Sequence, residues 1–438
     1  MTNTQVAKLL AKLKSQKNAK GEIARQFKAV IKGSTEHQAL LDQMKIISLQ
    51  IDETEAALKS IEYANAEAST QARPEQEINS DQIAFEFLEP SEIWNGAFKI
   101  DIIDNPFLDT WYRYLEHHTH TPYHQDAWLR LIQTQFGHRS ILLLATNQES
   151  QILGGLPLTL FSSKLFGQFA VSIPYINYGG PISQYHNINQ ALIHHSHQLL
   201  KKFNLSHVEI RSIQADLYPL YTSKKASMIL RLPESNEALE KNLGAKLRSQ
   251  YKKAEDYQPK LKVGKEELLN DFYQVFSHNM RDLGTPVYPK SFFQAILDEP
   301  NIQSTLLVVH LANKPVSAAF LIGNNNVLEI PWASTIAAAN KKNMNMWMYR
   351  QILSFAIEQK FMFFDFGRST IDAGTYKFKK QWGAEPRQHY WYYVMPEGQA
   401  LPEINPNNPK YKIFIALWKL MPVWLTRWIG PSLIKHIP

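Results

Sequence analysis

The sequence predicts an α+β protein: a helical hairpin followed by two consecutive runs of short strands and helices laid out to one plan. Three observations lead there. Apolar residues in 1–64 recur at alternating three- and four-residue intervals, the rhythm of a helical seam. From 83 onward, short apolar runs rich in β-branched and aromatic residues alternate with amphipathic stretches. That alternation starts afresh near 233. With 438 residues, 44% hydrophobic and 12% aromatic, the chain can bury two cores.

No cysteine occurs, which removes disulfides, thiolate metal sites and a cysteine nucleophile. The formal net charge is +7, and residues 1–34 hold seven lysines and Arg25 against Glu22 alone. The remainder is therefore close to neutral, which argues against a uniformly basic nucleic-acid binder. The N-terminus interleaves lysines with apolar residues and lacks an uninterrupted apolar core. It does not read as a secretory signal, and a cytoplasmic protein is expected.

Taken in order, Val6, Leu9, Leu13, Ile23, Phe27 and Val30, with Gln16 and Lys20 between them, mark a first helix. After Gly33-Ser34, the residues Leu40, Met44, Ile47, Ile51, Thr54, Leu58 and Ile61 mark a second, so 1–64 predicts an antiparallel hairpin. Its lysines suit tRNA or another acidic surface, or else form the solvated face of a packing or dimerising hairpin that would make a homo-oligomer. Residues 65–82 read as a linker. In a first domain over 83–232, strands are expected at 84–89, 98–103, 140–146, 152–160, 207–212 and 227–232, with helices starting at 106 and spanning 122–136 and 188–203. The stretch 172–181 is too rich in turn formers to be regular. Glu209 and Arg211 share one strand face and predict a structural ion pair.

A second domain over 233–398 repeats the plan. A helix at 237–256 carries Lys246, Arg248, Tyr251, Lys252 and Lys253; another is expected at 271–283, strands at 306–311, 316–323 and 327–334, the last bearing Trp332, and a long helix at 344–359. The rest, 399–438, is a spacer at 402–409 and a tail whose apolar runs are broken by Lys419, Pro422 and Arg427, too short and charged to span a bilayer. Trp418, Trp424 and Trp428 beside Lys410, Lys412, Lys419, Arg427 and Lys435 read as an amphipathic anchor to a membrane surface, with a core-packing helix as the alternative.

Chemistry concentrates in 361–383. The run Phe361-Met362-Phe363-Phe364 predicts a buried strand ending at Asp365, then a turn-rich segment with Arg368, Asp372, Tyr376, Lys377, Lys379 and Lys380, in which Gly367 and Gly374 permit positive φ. Cations beside backbone donors suit an anionic substrate or an oxyanion. His117, His118, His120 and His124, and again His194, His195 and His197, lack acidic or cysteine partners at zinc spacings. They read as solvated, and no metal is expected.

The strings Asp365-Phe366-Gly367-Arg368-Ser369, Gly374-Thr375-Tyr376-Lys377-Phe378-Lys379 and Trp382-Gly383 resemble the C-terminal signature of the Fem-type (FemAB-like) aminoacyl and acyl transferases. More narrowly, they resemble the Fem-like proteins of exopolysaccharide and exosortase gene clusters. The resemblance covers about 83–394 and implies two tandem GNAT-like domains after the hairpin. It sets Phe378 and Lys379 beside the transfer site, with Lys379 stabilising negative charge and Arg368 holding an anionic group. Asp365 would be the proton acceptor or a structural partner of Arg368. Asn177, Tyr178, Gly179 and Gly180 would line the cleft, and Arg248 and Tyr251, with Lys252, would meet the phosphates of a nucleotide-linked acceptor. Trp332, Tyr376 and Lys377 complete the expected substrate contacts.

The implied activity is N-acyl or aminoacyl transfer onto an amino group of a cell-envelope glycoconjugate, an exopolysaccharide or peptidoglycan precursor, at the inner face of the cytoplasmic membrane. The acceptor would be a nucleotide- or lipid-linked amino sugar, with no tightly bound cofactor and either acyl-CoA or aminoacyl-tRNA as donor. The 338–345 connection has no glycine, which departs from the glycine-rich pyrophosphate loop of CoA-dependent enzymes. An aminoacyl-tRNA-dependent peptidoglycan branching enzyme, and a non-catalytic scaffold in polysaccharide biosynthesis or export, fit the same residues.

Overall fold

A computed structural model describes residues 2–27, 30, 34–70, 92–118, 120–163, 166–399, 401 and 409–437. The expected strand at 84–89, positions 71–82 of the linker and 402–408 of the spacer lie outside the described residues. The chain divides into two compact units, 1–79 and 80–438.

In the first unit, α1 (Thr2–Gln26) packs along α2 (Thr35–Thr70). The seam follows the predicted rhythm: Gln16, Leu40, Ile51 and Thr54 are buried, and Leu13, Ile23, Met44 and Ile47 are half-buried. Ser34 caps α2, its Oγ accepting the His37 N–H at 3.1 Å. The helix runs on to Thr70, past the expected end at 64.

The second unit holds two seven-stranded mixed sheets. One runs β1 (Phe98–Ile103), β2 (Arg139–Asn147), β3 (Ile152–Ser163), β4 (Gly167–Val171), β5 (Val208–Ser212), then β14 (Tyr390–Val394) and β6 (Tyr221–Thr222). The other runs β8 (Lys260–Gly264), β9 (Gln303–Leu311), β10 (Lys314–Asn324), β11 (Val327–Thr335), β12 (Phe363–Thr370), then β7 (Lys225–Arg231) and β13 (Glu385–Gln388). Each is an antiparallel meander of four strands, then one parallel pair, β4 with β5 or β11 with β12, then an antiparallel strand. The repeated plan is thus present in both halves.

That last strand is exchanged. β7 precedes the second meander in the chain yet joins its sheet, and β14, which follows that meander, joins the first. No cut at 232 separates the halves, because strand alternation shows that a strand exists and which face it buries, but not which sheet it enters.

The helices are α3 (Asp109–Glu116), α4 (Asp126–Phe136), α5 (His186–His195), α6 (His197–Lys202), α7 (Asn236–Asn242), α8 (Ala245–Glu255), α9 (Leu269–Leu283), α10 (Lys290–Asp298), α11 (Ala337–Asn340), α12 (Met344–Glu358), α13 (Gly374–Lys380), α14 (Pro409–Leu420) and α15 (Val423–Ile434). Three stretches expected as single helices are broken. The 122–136 helix opens with a 3-10 turn at Pro122–His124, 188–203 divides at Ser196, and 237–256 divides at Leu243-Gly244.

Two cores flank the second sheet. On one face, α8 and α12 cover Leu328, Ile330, Phe364 and Phe366. On the other, an aromatic core runs across both halves, joining Tyr123, Trp128, Phe136 and Tyr175 of the first to Phe272, Phe292, Phe293, Phe320 and Trp332 of the second. Alternation along β11 and β12 therefore turns Glu329 and Asp365 away from α8 and α12, toward the seam between the halves.

Candidate active site

Strands β11 and β12 pair in parallel over only Val327–Glu329 and Phe363–Asp365, so Glu329 and Asp365 stand opposite each other where the pairing ends. Both are buried. β12 does not stop at Asp365 as expected. It bulges between Asp365 and Arg368, with Gly367 at φ +76°, and continues to Thr370, while 374–380 forms α13 rather than a turn. Burial of Asp365 is tolerated because the bulge turns the Gly367 N–H back onto its Oδ1 at 2.7 Å.

The first half supplies the other contacts. Tyr123 Oη donates to Glu329 Oε2 at 2.6 Å and Asn177 Nδ2 donates to Oε1 at 2.5 Å. Asn177 Oδ1 also accepts the Arg368 N–H at 3.3 Å. Its amide thus bridges the opened strands much as a peptide group would. Asp365 Oδ2, by contrast, is buried with no hydrogen-bond partner, although the Ser227 hydroxyl is near enough to favour its charged form. Lys379, expected to face an oxyanion, donates to the carbonyls of Gly367 at 2.9 Å and Arg368 at 3.1 Å. Two of its three donors hold the bulge.

Burial pushes the Asp365 carboxyl up to about 6, against the Gly367 N–H and the Lys379 charge. Burial and then the Asp365 charge push Glu329 up to about 8, even though Tyr123 and Asn177 both donate to it. Burial lowers the Lys379 ammonium to about 8 against the pull of Asp365. Two buried carboxyls side by side resist double ionisation, so near neutral pH the pair carries one negative charge opposite one Lys379 cation.

A cationic patch lies beside the pair. The Arg211 and Arg368 guanidinium groups sit 4.6 and 4.9 Å from the Trp391 ring. Arg211 is held by Glu209 at 2.7 Å, the pair read from the sequence. Arg368 makes no ion pair with Asp365; its Nη1 is buried without a partner, and burial together with Arg211 lowers its pKa to about 10. His389 hydrogen-bonds Ser227 Oγ at 3.0 Å, and burial beside Arg368, Arg211 and Lys225 pushes its pKa down to about 3. Tyr178 is buried edge-on to His389, 5.4 Å between ring centres, and its hydroxyl is raised by burial and by both carboxyls.

The structure thus brings together Asn177, Tyr178, Asp365, Arg368 and Lys379. It does not bring the others. Arg248 donates to the carbonyls of Glu240 and Leu243, and Tyr251 to the Glu240 carboxylate, which Arg350 also holds at 2.8 Å. These residues clasp α7, α8 and α12 on the face of the sheet away from the carboxylate pair, and Lys252 beside them is exposed. Trp332 belongs to the aromatic core, and Tyr376 and Phe378 pack in the core under α12, Phe378 at 5.1 Å from Tyr349. Lys377 is exposed. Gly179 and Gly180 permit close packing: the Gly179 N–H donates to Arg211 O at 2.9 Å, and a Cβ on either would press on Ile173 or Ser212. His124, expected to be solvated, is buried with Nε2 on Gly180 O at 2.9 Å and Nδ1 on Thr121 Oγ1 at 2.7 Å. Among the described residues, no three His, Asp or Glu side chains converge as metal ligands would.

Sequence reasoning missed Glu329, Tyr123, His389 and Trp391. Glu329 had a usable signal, being the only charged residue in Val327–Thr335. Tyr123 had none. Two surface cavities, of about 950 and 420 Å³, lie elsewhere, around Gln168 and Leu205, and no residue of the carboxylate cluster lines them.

Residues 241–380 match the family model described as an acetyltransferase (GNAT) domain, about a third of the chain that includes Glu329, Asp365 and Lys379. Among solved structures, the chain is similar to FemX, at 12% identity over 72% of this chain and 100% of that one, with a TM-score of 0.48. It is similar to L-PGS from Bacillus licheniformis at 14% identity, over 75% and 99%, with a TM-score of 0.47. A tandem GNAT protein from the clavulanic acid biosynthesis pathway is 9% identical over 67% and 98%, with a TM-score of 0.44. Comparison with curated proteins gives no match.

Proposed function

We propose that the protein is an N-acyl or aminoacyl transferase in which Asp365 accepts the proton of an attacking amine. The observation that carries this reading is the unpartnered Oδ2 of Asp365, on a buried carboxyl raised to about 6, at the point where the strands of the acetyltransferase-like segment separate. A base in that range is ionised at neutral pH and still takes up a proton. The amine nitrogen attacks the carbonyl carbon of an ester or thioester; the C–N bond forms as Asp365 takes the amine proton, and the C–O or C–S bond breaks with the electron pair leaving on oxygen or sulfur. That atom is then protonated. The N–H of Lys379 not spent on the bulge is the donor nearest to hand for the oxyanion.

Arg368, its Nη1 buried without a partner beside Trp391, suits an anionic group on the acceptor, such as the phosphates of a nucleotide- or lipid-linked amino sugar of the cell envelope. Asn177 closes the gap between β11 and β12, so its withdrawal would admit the reacting groups.

The test is amide formation, read by mass spectrometry, with a UDP-linked amino sugar as acceptor and either acetyl-CoA or an aminoacyl-tRNA as donor. Product is expected with one donor and falls at least about a hundredfold in Asp365→Asn. Wild-type yield from the variant removes Asp365 from the mechanism. No product from either donor, together with an unchanged cellular phenotype for the variant, favours the scaffold reading.

A further inference from the structure

We infer that the C-terminal helix pair α14–α15 docks the protein onto an anionic bilayer surface through the outer face of Trp424 and Trp428. The pair has two sides. Inward, Thr426, Gly430 and Ile434 are buried, and Gly430 lets α15 lie against the Val287 backbone, where a Cβ would come within 2.9 Å of its nitrogen. Arg427 turns inward as well, its Nε donating to Ser277 Oγ at 2.7 Å. Trp418 is buried in the same way, so neither residue belongs to the outward anchor that the sequence suggested. The Arg281 guanidinium fixes the junction of the two helices by donating to Met421 O at 3.1 Å.

Outward, Leu420 is 82% exposed, Trp428 76%, Trp424 67% and Leu417 56%; Leu283, at the end of α9 beside this junction, is 58% exposed. Trp424 and Trp428 lie one helical turn apart, opposite the buried face. Tightly held helices have no need of two exposed tryptophans, and bare aromatic groups of this size mark an interaction surface. The charge identifies the partner: with Arg427 turned inward, residues 404–438 still carry four lysines and no acid, and Lys419 stands exposed beside the apolar face. Amphipathic tryptophans flanked by cations fit the headgroup layer of an anionic membrane. No helix among the described residues is long and apolar enough to cross a bilayer, so the contact is interfacial.

The experiment is sedimentation of the full-length protein with phosphatidylcholine vesicles with and without phosphatidylglycerol, for wild type and for Trp424→Ser/Trp428→Ser. Both side chains are exposed, so the variant should keep the wild-type melting temperature. Binding should require phosphatidylglycerol, weaken with salt, and fall by more than about tenfold in the variant. Equal binding of variant and wild type, or no binding to anionic vesicles, overturns the proposal. A wild-type dimer in solution that the variant dissolves, without vesicle binding, overturns it in favour of a second copy as the occupant. Neither result bears on Asp365, whose test is amide formation in solution.

Discussion

The two sheets end their parallel pairing on the same kind of residue and treat it in opposite ways. In the first sheet the last pair is Val171 with Glu209, and in the second it is Glu329 with Asp365. Two residues beyond Glu209 stands Arg211, which neutralises it at 2.7 Å; two residues beyond Asp365 stands Gly367, which offers only an N–H. The first position is thereby spent on structure, with Ser172 and Gly179 closing the loop back onto Arg211. The second keeps a carboxylate oxygen free and faces it with a second carboxyl. One plan, used twice, seals one carboxylate with a cation two residues on and, where a glycine stands instead, leaves the other an oxygen without a hydrogen-bond partner.

The sharpest way to break that comparison is Asp365→Asn. If the second copy is the reactive one, transfer should fall by about 10²–10⁴-fold in single turnovers, as expected for loss of a general base, with the melting temperature nearly unchanged. In the first copy the loss should be of stability. Arg211→Met leaves Glu209 buried without its partner and should cost about 3–5 kcal/mol in urea unfolding, while Glu209→Gln/Arg211→Met should recover most of it. A double variant no more stable than the single would mean that Arg211 acts through Trp391 instead.

These residues also show how far the sequence could be read. The hairpin, the repeated plan and most strands were legible because each rests on a local period, and Glu209 with Arg211 because they lie two apart on one strand. Asp365, Arg368 and Lys379 were legible because they fall in one contiguous segment. Tyr123 and Trp391 were not, since they join the site only after the halves share a core and β14 crosses into the first sheet, and Glu329 showed only as the lone charge of its strand until β11 met β12. Arg248 and Tyr251 show the converse: the sequence places them on a basic helix face but cannot show that they are held by the carbonyls and carboxylate of the neighbouring helix, away from the carboxylate pair.

A milder effect is expected at the bulge. Gly367→Ala places a Cβ at φ +76°, 3.2 Å from Asn177 Nδ2, and should cost about 1–3 kcal/mol by thermal unfolding. It should also slow transfer, because the displaced N–H no longer holds Asp365 Oδ1. An unchanged rate in a destabilised protein would show that Asp365 does not depend on the bulge.

The smallest effect on rate, and the finest test of the carboxyl pair, is Glu329→Gln. The amide keeps an oxygen for Asn177 Nδ2 and offers an N–H to the Tyr123 oxygen, so transfer should stay within about tenfold of wild type. Its signature lies in pH. In wild type, activity should rise through about 6 as Asp365 ionises and decline above about 8, where Lys379 loses its proton and Glu329 ionises. The acid limb should persist in the variant, because burial, not Glu329, is what chiefly raises Asp365. Stability should respond more. A folded carboxyl held above its ordinary value favours the fold while protonated, and this advantage is lost as pH rises through the folded value. Wild type should therefore lose stability between about pH 5 and about 8 more steeply than Glu329→Gln, in melting temperatures measured across that range. Parallel slopes would mean that Glu329 is already ionised at acid pH under its two hydrogen bonds, and that the pair carries two charges and not one.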